Sequence, residues 1–258
     1  MIRFKILVIS LLICLVGCQG EDKSQDIFNQ AEKYFASGQV NEARIHYERY
    51  IEQSEENEPK RWQAWHRLTT IRGDISGDLE GAVEILKNMR LEFGDDPDRL
   101  WKINNRLANK YKRMGELEES YRIWKANLKS ASQKEQELKG IINLAEIQLT
   151  QRNLPSAKEY LQKVQECKSG TYPDICSNIY YLWGKILYLE DQPEKAYEKL
   201  KKAHHGNARD ELRARAGMLM ADVLLKMGNE SKAREYLKAT QKLHPNPEAV
   251  QVRLNQLE

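Results

Sequence analysis

Proline and glycine are scarce, 7 and 14 residues in a chain of 258. That excludes collagen-like and low-complexity classes. Four cysteines and five histidines show no Cys-x₂-Cys or His-x₃-His spacing, so the common metal sites lack their ligand pattern. There is no G-x-S-x-G, no P-loop and no G-x-G-x-x-G. Carboxylate runs such as Glu55-Glu56-Asn57-Glu58 read as solvated loop, not as a glycosidase pair in a pocket. No catalytic residue, no enzyme activity, no metal and no cofactor is expected. The apolar run Ile6 to Val16 reaches about 17 Å as a helix, short of a bilayer core of about 30 Å. A charge excess is missing too. Without Arg3 and Lys5, 39 basic residues face 38 acidic ones, so nucleic acid is not expected as a partner.

What the chain has is charge and helical periodicity. Charged residues are 31% and apolar residues 41%, the mixture of a helix-rich body with a high ratio of surface to core. At the start stand Arg3 and Lys5, the apolar run, and then Leu15-Val16-Gly17-Cys18. These residues resemble the bacterial lipobox of exported lipoproteins. The resemblance implies that residues 1–17 are a cleaved signal peptide and that Cys18 is lipidated. Residues 18–24 would be a short tether. Gln19 stands where an Asp favours inner-membrane retention in enteric-type lipoproteins, so the outer membrane facing the periplasm is expected.

From residue 24 onward one module recurs: a small residue, a large one three or four on, a turn, then Ala, then a large apolar residue. The first copy has Ala31, Tyr34, Gly38, Ala43 and Tyr47; the third, Ala108, Tyr111, Gly115, Ser120 and Trp124. The fourth has Ala145, Leu149, Asn153, Ala157 and Leu161; the fifth, Gly184, Leu187, Asp191, Ala196 and Leu200. The sixth has Ala221, Leu224, Gly228, Ala233 and Leu237. A degenerate second copy has Trp65, Leu68, Gly77, Ala82 and Leu86, with about one extra residue in its turn. The pattern resembles the tetratricopeptide repeat (TPR), at intervals of 37 to 39 residues instead of about 34. The implied fold is all-α: a right-handed α-solenoid of about six TPR-like helix-turn-helix repeats over residues 24–245. Residues 246–258 read as a capping helix with Pro247 near its start.

Two cysteines remain after Cys14 and Cys18. Cys167 and Cys176 are expected to close a loop by a disulfide in an oxidising compartment, with two free thiols as the alternative. His204 and His205 are expected in a solvated loop. Residues 19–100 carry 11 basic and 18 acidic residues, and residues 101–258 carry 28 and 20. The excess of cations in the distal part would steer an acidic partner.

The TPR resemblance implies a protein-binding groove on the first helix of each repeat. In the last three repeats its places hold Ile142, Glu146 and Leu149, then Tyr181, Lys185 and Tyr188, then Met218, Asp222 and Leu225. Lys139, Arg215 and Lys226 flank them. The chaperone-type carboxylate clamp is not expected, because Phe28 and Glu32 stand at its first-repeat places. The expected function is a lipid-anchored scaffold or adaptor that binds other envelope proteins or peptides. Outer-membrane assembly, cell-division coordination and pilus or secretion assembly are the processes considered. The alternative is an accessory or glycan-binding lipoprotein beside an envelope enzyme, which would need exposed aromatics and convergent carboxylates in one pocket.

Overall fold

The computed structural model describes residues 23–56, 58–164, 167 and 170–257. The lipobox, Cys18 and the signal segment lie outside them. Among the described residues there are helices and turns and no strand. No helix among them is long and apolar enough to cross a membrane. The chain forms two compact units, one ending at Ile123 and the other beginning at Trp124.

The first unit holds α1 (23–36), α2 (Val40–Gln53), α3 (Arg61–Thr70), α4 (Leu79–Phe93) and α5 (Pro97–Met114). The boundary falls within α6 (Leu117–Lys129). The second unit holds α7 (Lys134–Thr150), α8 (Leu154–Gln162), α9 (Pro173–Leu189) and α10 (Pro193–His204). It continues through α11 (Asp210–Lys226), α12 (Glu230–Gln241) and α13 (Pro247–Asn255).

Paired helices meet at small residues. Ala43, Ala82, Ser120, Ala157, Ala196 and Ala233 are all fully buried. A Cβ on Gly184 would sit 2.5 Å from Cγ of Leu200, so α9 and α10 cross in contact there. Helix starts carry their own caps. Asp78, Asp96, Asn153, Asn229 and Asn246 accept backbone N–H bonds from the first turn, and prolines open α5, α8, α9, α10 and α13.

The turn between paired helices follows one rule. A left-handed residue ends the first helix, and the next N–H donates back to a carbonyl five residues earlier. Gly38, Gly115 and Gly228 take that place, at φ +76, +84 and +73°. The bonds run from Gln39 to Tyr34, Glu116 to Tyr111 and Asn229 to Leu224, at 2.8–2.9 Å. In the fourth repeat the turn residue is Arg152 (φ 60°), not Asn153 as the repeat pattern suggested. Asn153 is the cap of α8 and accepts from the Ser156 N–H.

The second copy differs for a physical reason. Its extra residue is taken up in a π-helical turn, Ile71–Ile75, closed by the Ser76 N–H to the Ile71 carbonyl at 2.9 Å. The register before it therefore shifts by one. Fully buried Thr69 takes the small-residue place, 13 residues before Ala82 against 12 in the other copies, and lies one helical turn beyond Trp65, where it was expected. Trp65 instead donates its indole N–H to Glu92 at 2.8 Å.

Candidate functional site

The first unit pairs several charged groups in or beside its core. Arg61 is buried and forks onto both Glu92 oxygens at 2.7 and 2.8 Å. It also caps the end of α2, donating to the Ile51 and Ser54 carbonyls at 2.6 and 2.8 Å. Glu32 accepts from Arg67 at 2.9 and 3.0 Å and from the Tyr47 hydroxyl at 2.5 Å. Burial pushes the Glu32 carboxyl up, but Arg67 and Tyr47 outweigh it and hold it below its ordinary range. With Phe28 in the core, the two first-repeat places are occupied by packing and pairing. Lys110 is buried against the π-helical turn and pairs with Asp74, which Arg113 also reaches at 3.0 Å.

The second unit arranges its groups differently. Tyr181 is half-buried on α9, and the Arg215 guanidinium of α11 lies 4.7 Å from its ring centre. Tyr188, one helical stretch further on, carries Lys226 at 5.1 Å. Lys226 also pairs with Asp191 at 2.5 Å, and that carboxylate raises its ammonium pKa. Cation–π contacts of this kind contribute roughly 0.5–1 kcal/mol where exposed. Lys185 on α9 and Arg215 on α11 have no acidic partner among the described residues. Leu225 and Met227 are exposed at the end of α11, and Leu189 at the end of α9. Met218 is half-buried against the α11–α13 core, and Asp222 pairs with Arg253 of α13.

Two of the expected groove residues do not face water. Ile142 and Leu149 are 5% and 8% exposed, in a core shared with Leu182 and Ile186 of α9. The reason is that α7 is apolar on nearly every side, through Leu138, Ile141, Leu144 and Ile147, so its neighbours enclose it.

Beside Ile142 opens a cavity of about 460 Å³, lined by α7, the start of α9 and the start of α11. Ile142 and Ile175 form its apolar part, and the Asn178 amide donates to Glu146 at 3.4 Å near it. Its two carboxylates are held in pairs. Lys139 reaches Glu135 at 2.5 Å and Arg209 reaches Asp174 at 2.7 Å. Carboxylates tied this way are unlike the convergent pair a glycan or catalytic site requires. Thr171, Tyr172 and Asp174 of the wall, the last in the first turn of α9, lie in the segment between Cys167 and Cys176, whose sulfurs are bonded with Cα atoms 5.5 Å apart. Among the described residues no group of three or more His, Cys, Asp or Glu could hold a metal ion.

His204 corrects an expectation. It is not in a solvated loop but ends α10, buried, with Nδ1 at 2.9 Å from the Arg213 carbonyl and its ring against Tyr236. Burial lowers its pKa. The sequence signal was there: Gly217 and Thr240 are the small partners that make room for it. A Cβ on Gly217 would meet His204 at 3.1 Å. His205 is exposed. Arg209, Tyr172 and Asn178 of the cavity were not legible in the repeat pattern, because two of them lie on linkers that the repeat does not define.

Residues 215–247, the last helix pair, match the family model of the tetratricopeptide repeat. Solved structures extend the likeness across the chain. The type IV pilus biogenesis factor PilW is 19% identical, with TM-score 0.63, over 90% of this chain and 98% of its own. PilF of Pseudomonas aeruginosa is 16% identical, TM-score 0.59, over 92% and 99%. BtubC (BKLC) from P. vanneervenii is 18% identical, TM-score 0.58, over 88% and 94%. The fold is that of tetratricopeptide-repeat proteins. Such folds are protein-interaction scaffolds. No curated protein sequence is significantly similar to the chain.

Proposed function

We propose that the chain is a lipid-anchored scaffold that binds other proteins in a bacterial cell envelope, without a catalytic step of its own. The observation that carries this reading is the face shared by α9 and α11. It sets Tyr181, Tyr188 and exposed Leu225 beside Lys185 and Arg215, two cations without an acidic partner among the described residues. An apolar and aromatic surface with unspent positive charge suits an acidic segment of a partner protein. Pilus assembly is the process we favour, since PilW, named as a type IV pilus biogenesis factor, shares the fold over nearly its whole length. Anchoring rests on Leu15-Val16-Gly17-Cys18. Cys18→Ala should leave the protein unprocessed or soluble; membrane fractionation at the mature size would sink the lipid anchor. Lys185→Glu with Arg215→Glu should abolish capture of partner proteins in crosslinked envelopes, with the helical circular-dichroism signal retained. Unchanged capture would remove this face from the binding surface.

A further inference from the structure

Charge pairing in the first unit stops short at two cations of α5. Lys102, Arg106, Lys110 and Arg113 stand at i, i+4, i+8 and i+11, one stripe of that helix. Like charges at i,i+4 weaken an isolated helix, so the stripe needs counter-charge from outside it. Facing it, His66 and Thr70 of α3 and Asp74 of the π-helical turn repeat the i, i+4, i+8 spacing. At one end the counter-charge is present. Asp74 takes both Lys110 and Arg113, the latter at 3.0 Å. Lys110 is committed there, since a Cβ on Gly73 would come 2.8 Å from its ammonium.

The other end has no acid. Arg106 is half-buried and donates to His66 Nδ1 and, at 3.3 Å, to the Thr70 hydroxyl, both neutral acceptors. Burial lowers its pKa, and Asp74 offsets that only from a distance. Lys102, one turn before it, is exposed. Neither cation touches a carboxylate among the described residues. Both act on one imidazole: burial first, then Arg106 and Lys102, hold His66 neutral. A half-buried guanidinium in this setting has lost water and gained no opposite charge. Two of its five N–H donors are used.

We propose that this end of the α3–α5 row binds a phosphoryl group, held by the unused N–H donors of Arg106 and the ammonium of Lys102. Two unit cations match a dianion better than a single carboxylate. A phosphomonoester carries about −1.5 to −2 charge at pH 7 and three strong acceptor oxygens. A guanidinium fork and an ammonium are the side chains that such oxygens take. A free phosphate and a lipid headgroup offer the same oxygens, so either can be the source. The site lies within the first unit and does not rest on the α9–α11 face or on the scaffold reading.

The test is titration calorimetry of the full chain in mild detergent, at neutral pH and constant ionic strength. Inorganic phosphate is one probe. Phosphatidic acid carried in the same micelles is the other, with phosphatidylcholine as its blank. At least one probe should bind at one per chain and move the His66 ring signals in an NMR spectrum. Binding of phosphatidic acid alone identifies a headgroup as the source, and binding of inorganic phosphate identifies the free group. Lys102→Gln changes an exposed side chain and should weaken binding by about tenfold. Arg106→Gln should abolish it with the helical circular-dichroism signal retained. The proposal is overturned if neither probe binds, or if both variants bind as the wild type does. Acetate that binds as tightly as phosphate at the same ionic strength also overturns it, and would point to a carboxylate ligand.

Discussion

The first unit pairs Arg61, Arg67 and Lys110 with its own carboxylates, whereas the second holds two cations on the α9–α11 face without an acidic partner among the described residues. Those two are Lys185 and Arg215. The core of the second unit is instead built of aliphatic residues from α7 to α9, with aromatic faces towards the cations. The teaching is that a repeat sequence does not make equivalent places equivalent in chemistry. The same helix-hairpin scaffold can satisfy a charge internally or hold it outward, depending on what the next helix offers.

Six substitutions, in four tests, would break or sharpen that contrast. The largest effect is expected at Arg61. Arg61→Ala leaves Glu92 buried and two backbone carbonyls unpaired, which costs about 3–5 kcal/mol. Urea unfolding should show it as a lowered midpoint. A loss below about 1 kcal/mol would mean that the charge is not structural there. Next, Ala196→Leu in the second unit should overpack the α9–α10 crossing and cost about 1–3 kcal/mol. Equal stability would contradict the helix register. Third, Gly228→Ala should lose about 1 kcal/mol, because φ is +73° and an L side chain is strained there. Arg152→Gly, at φ 60°, should shift stability in the opposite direction. The smallest effect is expected at Lys185→Glu with Arg215→Glu, about 0.5–1 kcal/mol, the size of the lost contact between Arg215 and the Tyr181 ring.

Acid separates the two units less cleanly. His66 accepts from Arg106 at Nδ1, and burial, with Arg106 and Lys102, pushes its pKa down to about 4. The unfolded chain binds that proton near 6.5. The stabilisation from neutral His66 is therefore complete above pH 6.5 and is lost as pH falls towards 4. His204 in the second unit acts in the same direction. Melting temperature should fall across that window, and His66→Leu should flatten the fall. A wild-type curve that is level from pH 6.5 to 4 would show that neither imidazole is held neutral.

The repeat was legible because close helix crossings tolerate only small side chains. The run of Ala43, Ala82, Ser120, Ala157, Ala196 and Ala233 therefore survives in a sequence with little else in common between copies. Legibility ended where local chemistry substitutes for glycine or adds a residue. Arg152 adopts the left-handed turn without announcing it, whereas Asp191 does so at the turn place that the pattern gave. The π-helical turn at Ile71–Ile75 moved the small residue to Thr69. The site was legible only in part. The TPR resemblance pointed to Tyr181, Lys185, Tyr188 and Arg215, but it could not tell that α7 is enclosed on nearly every side, which buries Ile142 and Leu149. Nor could it find the cavity wall, since Tyr172 and Arg209 come from linkers whose path is not periodic.

The central claim is that the face of α9 and α11 is held open for an acidic protein segment. A photo-crosslinking residue in place of Lys185, in cells expressing the full chain, tests it most directly. One discrete adduct is expected, and it should vanish when Arg215→Glu is added while the helical circular-dichroism signal is retained. An adduct that persists unchanged with Arg215→Glu, or no adduct from position 185 at all, would contradict the account.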